Sequence, residues 1–332
     1  MDKSAPSNLT SVSIKNFKSV KSVTLSDCRR INVLIGRPNV GKSNILEALA
    51  LFDVPYMVNS SNKSLRNLIR VENTADLFHN GVATTPVEVS ADGSTINVIR
   101  GANNGLSVDI SIQGEVSKYA FSSSLTLSTK KDPAVLPDVL AYFFSKHFVP
   151  ESSNIGFLRP PSGGNLMETV ANLPDLKSGL AELFHGYGLK MMFDSTSRTI
   201  VAMKENGIYI SIVPFNSLGD SLRRLIFYKA AIEGNRNKTI CFDDLDALIY
   251  QPYISDILND IISASDNRFF ITTQSQYVIR SLLDRSVSEL AVYVVDMKGN
   301  ETVVNRIPDG QLQYFRKNGD DLFSTNKSLH IE

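Results

Sequence analysis

The sequence predicts an α/β fold: a mainly parallel sheet covered by helices, together with an antiparallel β lobe. Three observations predict it. Residues 31–52 read as a buried strand, a glycine-bracketed turn and an amphipathic helix. Residues 85–128 alternate apolar and polar residues between Asp-Gly, Asn-Asn-Gly and Gln-Gly breaks, the pattern of an antiparallel meander. From residue 217 onward helical and strand-like stretches alternate, which builds a parallel sheet with helices over it.

Taken in order, residues 10–35 read as two strands joined by a turn, with Ile31–Ile35 a short β-branched run fit for burial. The helix of residues 43–52 places Ile45, Leu46, Leu49 and Phe52 on one face. Residues 53–84 read as helical and loop-like, residues 134–147 and 165–187 as helices, and residues 190–213 as a hairpin. There follow helix 217–233, strand 239–242, helix 252–264, strand 268–272, helix 275–284, strands 290–295 and 301–306, and a helical tail. The expected division is a lobe of residues 1–155 holding the glycine-rich loop and the meander, and a lobe of residues 156–332. No heptad pattern of a coiled-coil arm occurs.

Composition excludes several classes. With 332 residues, about two units are expected at ~150 residues each. The 42% hydrophobic and 20% charged content is ordinary for a globular protein. Lys plus Arg and Asp plus Glu are both 34, so no global field draws the chain to nucleic acid or membrane. The only cysteines, Cys28 and Cys241, lie in or beside strand-like runs and read as buried free thiols, which suits a reducing cytoplasm. The N-terminal MDKSAPSNLT lacks an apolar signal core, and no run long enough to span a bilayer appears. His79, His147, His185 and His330 are scattered, without metal-ligand spacing.

The strongest motif is GRPNVGKS, residues 36–43, a GxxxxGKS phosphate loop. Gly36 and Gly41 bracket a turn through Arg37, Pro38, Asn39 and Val40 whose backbone N–H groups, absent only at Pro38, wrap a phosphate. Lys42 reaches the β- and γ-phosphates, Ser43 holds Mg²⁺ through its hydroxyl, and Asn44 opens a helix whose N-terminus faces the anion. Such a loop fits both GTPases and ATPases. A Ras-like GTPase also needs DxxG and NKxD; DMKG at 296–299 has no NKxD behind it, and NKTI and the two NKSL stretches lack the fourth-place Asp.

Other segments carry a resemblance. VSIKNFKSVKSVTL resembles the opening strand pair of SMC- and RecF-like heads, in which the basic residue after Phe, here Lys18, approaches the nucleotide. FNSLGDSLRRLIFYKAAI, residues 215–232, resembles an ABC signature helix; Ser217 and Asp220 are spaced as a capping box, and Ser217 and Gly219 would meet the γ-phosphate of nucleotide on a partner head. TICFDDLDALIYQPY resembles a Walker B strand and D-loop, with Asp243 toward Mg²⁺ and Asp244 at the catalytic carboxylate position. FFITTQSQYVI resembles the H-loop strand, with Gln274 at the His position, and FLRPPSGGNL resembles a segment of small ATPases of the OLD class. The chain thus resembles an SMC/RecF/OLD-like ABC-type ATPase head, of the small group related to OLD- and PARIS-like antiphage ATPases. The resemblance implies a P-loop NTPase fold of the ABC-ATPase-head type, with ATP and Mg²⁺ as cofactors.

Two departures fall on the chemistry. Asp244 is shorter by one methylene than the family's Glu, and a misplacement of about 1 Å can cost ~100-fold in rate. Gln274 donates a hydrogen bond but cannot titrate as His does. The resemblance therefore implies an ATP-binding switch with slow hydrolysis that assembles as a homodimer or higher homo-oligomer through an ATP sandwich. It would govern a separate effector protein, since the residues after the H-loop leave no room for a Toprim nuclease. The alternatives are a RecF-like repair ATPase, with Arg29, Arg30, Arg223 and Arg224 as candidate nucleic-acid contacts, and a GTPase. No membrane partner is expected.

Overall fold

The structure, a computed structural model, describes residues 9–133, 135–153, 155–319 and 322–325. The opening residues 1–8 and His330 lie outside the described residues. In chain order the first strands and helix are β1 (Val12–Phe17), β2 (Val20–Leu25), β3 (Ile31–Ile35) and α1 (Lys42–Ala50). Next come β4 (Val87–Ala91), β5 (Ser94–Arg100), β6 (Leu106–Ile112), β7 (Glu115–Phe121) and β8 (Val139–Tyr142). The middle holds α2 (Leu166–Ala171), α3 (Pro174–Gly186), β9 (Lys190–Asp194), β10 (Thr199–Asn206), β11 (Tyr209–Pro214) and α4 (Asp220–Glu233). The last are β12 (Thr239–Phe242), α5 (Gln251–Ser263), β13 (Arg268–Thr272), α6 (Gln276–Ser286), β14 (Leu290–Lys298), β15 (Glu301–Arg306), α7 (Asp309–Asn318) and α8 (Leu322–Thr325).

Two compact units form. The first comprises Met1–Ala141, Asn237–Asp246 and Ser265–Glu332; the second comprises Tyr142–Arg236 and Ala247–Ala264. The Walker-B-like strand and the strands after it therefore rejoin the N-terminal residues, where a linear division at 155 separates them.

The first unit contains two sheets. One runs β15-β14-β3-β13-β12-β8. β3 pairs in parallel with β13 and β14, and β12 pairs in parallel with β13, while β15 runs antiparallel to β14. All five residues of β3 are buried, as a central parallel strand requires. The other sheet, β2-β1-β4-β5-β6-β7, is wholly antiparallel and joins the N-terminal hairpin to the meander. Residues 10–35 thus hold three strands, not two, because the turn before Ile31 moves the chain from one sheet to the other.

Residues 134–147 are not a helix. Pro133 and Pro137 remove backbone donors and push the residues before them toward extended backbone, and Val139–Tyr142 forms an edge strand with every residue buried. The short apolar run fits either a buried helix or a buried strand, so periodicity cannot separate them. Behind this edge, the Leu51–Met57 3-10 turn continues α1 and buries Asp53. One Asp53 oxygen accepts the Ala141 N–H at 2.9 Å and the other has no partner. Burial raises this carboxyl well above its ordinary 3.8.

The second unit packs α2, α3, α4 and α5 with a three-stranded antiparallel sheet, β11-β10-β9, one strand more than the expected hairpin. Phe227 of α4 stands edge-on to Tyr142 and Phe144 at centroid distances of 6.1 and 5.8 Å, and Lys229 of α4 reaches Asp260 of α5 at 2.5 Å. Helix α4 starts at Asp220, and its N-cap is Gly219. The Ser217–Asp220 capping box does not form: Ser217 ends a separate 3-10 turn, and the Asp220 carboxylate pairs with Arg223.

Candidate functional site

The parallel strands of the first unit carry the candidate site on the loops that leave their C-terminal ends, where open α/β sheets bind ligands. Gly36 follows β3, Asp243 and Asp244 follow β12, and Thr273 and Gln274 follow β13. Because β13 lies between β3 and β12, Thr272 stands between the loop and the two carboxylates.

The loop has the conformation the glycines were expected to allow. Gly36 has φ +150°, Asn39 φ +62° and Gly41 φ +98°. Asn tolerates the left-handed region through its short polar side chain. No side chain caps the first turn of α1, so its N–H groups are left for a bound anion. Lys42 curls over the loop and donates to Gly36 O at 2.9 Å and Arg37 O at 2.8 Å. Burial holds its ammonium below the ordinary pKa, against the opposing pull of Asp244 and Asp243.

The loop is also bolted at its back. Thr302 Oγ1 of β15 donates to Val40 O at 3.1 Å, Ser19 Oγ lies 2.7 Å from Thr302 Oγ1, and Asn44 Nδ2 donates to Ser19 Oγ at 2.7 Å. Arg37 is exposed and reaches Asp296 at 2.8 Å, and Pro38 is exposed beside it.

The structure brings Ser43 and Asp243 together: Ser43 Oγ donates to Asp243 Oδ1 at 3.0 Å. Thr272 Oγ1 donates to the same oxygen at 2.6 Å and accepts the Asp244 N–H at 2.7 Å. Asp244 itself has φ +46°, a left-handed conformation that Asp tolerates better than a longer acid. Its carboxyl is half-buried and makes no hydrogen bond among the described residues. Burial first, and then the charge of Asp243, raise its pKa, with Lys42 opposing. Gln274 is exposed and directly follows Thr273, whose hydroxyl is bonded to Asp246.

Lys18 stands close to the loop helix, but its ammonium pairs with Glu47 of α1 and donates to Arg70 O at 2.8 Å. Three residues join the site that no motif marked. Glu47 is buried and accepts Arg70 Nε at 2.6 Å; Arg70 Nη2 contacts Asp243 Oδ2 at 3.0 Å; Thr272 holds both Asp243 and Asp244 in register. Glu47 lies off the apolar face of α1 formed by Ile45, Leu46, Leu49 and Phe52, and Arg70 lies in a stretch without pattern, so neither was marked by periodicity. Ser217 and Gly219 are exposed at the start of α4 in the second unit.

The donor set suits a nucleotide with a hard divalent cation: a hydroxyl and a carboxylate oxygen for the cation, backbone N–H groups and an ammonium for phosphate. Among the described residues no group of three or more His, Cys, Asp and Glu has a metal-binding arrangement, and no helix is long and apolar enough to cross a membrane. Both cysteines are free; Cys241 is buried and Cys28 half-buried.

Residues 8–147 match the family model described as an AAA ATPase domain. An ATP/GTP phosphatase of Helicobacter pylori is 20% identical over 95% of this chain and 100% of its own length. An uncharacterised protein of Methanocaldococcus jannaschii is 43% identical over 44 residues, 13% of this chain and 20% of its own. Among solved structures, the Smc head domain of Pyrococcus furiosus, with an extended coiled coil and bound to the C-terminal domain of ScpA, aligns with a TM-score of 0.50 at 11% identity. That alignment covers 93% of this chain and 98% of the other. The chain therefore has an α/β P-loop fold like that of the Smc head, and residues 8–147 are similar to an AAA ATPase domain.

Proposed function

We propose that this protein is an ATP-binding switch with slow hydrolysis, which pairs with a second copy through bound nucleotide and thereby governs a separate effector. The observation that carries the reading is the Ser43–Asp243 contact at 3.0 Å, set beside a phosphate loop with intact left-handed glycines and Lys42 at its mouth. Lys42 would leave the carbonyls of Gly36 and Arg37 for the phosphates, an exchange of neutral for charged acceptors that favours binding. Ser43 and Asp243 would hold Mg²⁺, which would offset the negative charge of the phosphates. Asp244 would orient the attacking water. Its raised pKa makes the ionised form a better proton acceptor, so its short reach and not its basicity supports a slow rate.

Pairing through nucleotide rests on the exposed Ser217 and Gly219 at the mouth of α4, which the resemblance to ABC signature helices assigns to phosphate on the partner. The effector role, in the manner of OLD- and PARIS-like antiphage systems, rests on that resemblance alone. The repair-ATPase reading has less support. Arg29 pairs with Asp309, Arg30 with Glu289 and Arg223 with Asp220, and Arg224 stacks on Phe144 at 4.4 Å. The Helicobacter pylori relative, an ATP/GTP phosphatase, leaves the base open, and DMKG without NKxD favours adenine. Titration calorimetry with ATP and GTP, with light scattering in a non-hydrolysable analogue, tests the reading. ATP binding with nucleotide-dependent pairing supports it; a strong GTP preference, or rapid turnover without pairing, overturns it.

A further inference from the structure

Asp243 meets three donors, and they differ in what they allow. Ser43 and Thr272 place hydroxyl protons on Oδ1, at 3.0 and 2.6 Å. A hydroxyl that donates keeps its lone pairs, so Ser43 can present its oxygen to a cation without releasing Asp243. Arg70 is different. Its Nη2 lies 3.0 Å from Oδ2, the carboxylate oxygen that carries no hydroxyl. A guanidinium is a full positive charge with donors only. It occupies the carboxylate oxygen that a hydrated divalent cation would need and already supplies positive charge there.

The rest of Arg70 is fastened. Its Nε is held by Glu47 Oε1 at 2.6 Å, and Glu47 is 3% exposed on α1. Its backbone carbonyl accepts from Lys18 Nζ at 2.8 Å, and Lys18 also pairs with the second Glu47 oxygen. The Arg70 side chain as a whole is 68% exposed, so its planar guanidinium can leave Asp243 by swinging toward solvent as one rigid group about its Nε contact with Glu47. We propose that Arg70 is a latch on Asp243, so that a divalent cation at Ser43 and Asp243 binds only in competition with the Arg70 guanidinium. The buried Glu47–Lys18 pair is the fixed hinge plate, and the Arg70–Asp243 contact is the part that opens. This rests on the nucleotide-site reading above.

The test is Mn²⁺ binding, not turnover. Full-length wild type, Arg70→Gln and Arg70→Lys are stripped with EDTA, their ADP affinity is measured without metal, and Mn²⁺ is then titrated into the ADP-loaded proteins by electron paramagnetic resonance. Arg70→Lys keeps a cation on Glu47 and so guards against loss of folding in Arg70→Gln. A lysine ammonium lacks the planar fork with which Arg70 bridges Glu47 and Asp243. Both variants are expected to bind Mn²⁺ tighter than wild type, by roughly 3- to 10-fold given the screening of an exposed pair. Equal or weaker Mn²⁺ affinity in both variants, with ADP binding intact, overturns the latch and leaves the nucleotide site standing. Wild type that binds no ADP, with or without metal, overturns the site and the latch together.

Discussion

A β-carbon at Gly36 would lie 2.2 Å from the carbonyl oxygen of Val295, and one at Gly41 would lie 2.2 Å from Thr302 Oγ1; at Gly219 it would meet nothing within 4 Å. The backbones differ in the same sense. Gly36 and Gly41 have φ of +150° and +98°, whereas Gly219 has φ −59° and ψ 140°, which any L-residue adopts. The phosphate loop needs its glycines to fold at all. The mouth of α4 does not, so its exposed Ser217 and Gly219 are open to selection by something that approaches from outside the chain. Substitutions in the two regions should therefore separate into folding effects and assembly effects.

The largest effect is expected at Lys42. Lys42→Ala should weaken ATP binding by about 100-fold or more, the size of a lost charge-assisted contact to phosphate, with the melting temperature nearly unchanged. Calorimetry that shows unaltered ATP affinity would remove the phosphate-loop assignment. Gly36→Ala should cost about 3 kcal/mol or more through backbone strain and collision with Val295 O. Gly219→Ala should cost no more than about 1 kcal/mol, an ordinary N-cap change. Denaturant midpoints of equal size for the two would erase the distinction drawn above.

Ser217→Arg sharpens the comparison from the other side. It should leave folding and single-chain ATP binding intact and abolish nucleotide-dependent pairing in light scattering. Assembly equal to wild type would show that this mouth serves no partner nucleotide.

A moderate effect is expected at Asp244. Asp244→Glu should raise single-turnover phosphate release several-fold, a fraction of the ~10²–10⁴ that general-base assistance supplies. The left-handed backbone at this position works against the longer acid. Adding Gln274→His should give a non-additive gain, since both act on one water, while Asp244→Ala should lower the rate with ATP binding preserved. Fast wild-type release that Asp244→Glu does not improve would show that the shorter acid is already well placed.

The smallest effect concerns pH in the nucleotide-free protein. Burial and Asp243 raise the Asp244 pKa above its ordinary 3.8, so the folded state holds this proton more tightly than the unfolded chain. The stabilisation is fully present below 3.8 and is lost as pH rises through the folded value. Asp244→Asn should accordingly be slightly more stable than wild type at neutral pH, the gap closing as pH falls toward 3.8. Denaturant midpoints that run parallel with pH for the two proteins would contradict it.

Much of the site was legible because its parts are local. GRPNVGKS specifies a turn, a lysine and a helix start within eight residues, and the apolar run before Asp243 marks the end of a buried strand. Arg70 was not legible, since it reaches Asp243 across a long loop, and neither its neighbours nor its spacing announce the contact. The Ser217–Asp220 box failed for a related reason: the spacing fits a cap, but Arg223 is a stronger partner for Asp220 than a backbone N–H, and the N-cap is Gly219, not Ser217.

By itself the sequence determined the α/β class, the antiparallel meander and the phosphate loop, because each rests on short-range periodicity or on residues that alone tolerate a backbone conformation. Only the tertiary structure decided that β13, after β12 in the chain, lies between β12 and β3, that residues 139–142 are an edge strand, and that β1 and β2 extend the meander. It alone decided that Lys18, Glu47, Arg70 and Asp243 form one charge network. Strand order and long-range ion pairs depend on which buried surfaces and charges meet after collapse, and pairs that span 23 to 173 residues leave no periodic trace in the chain.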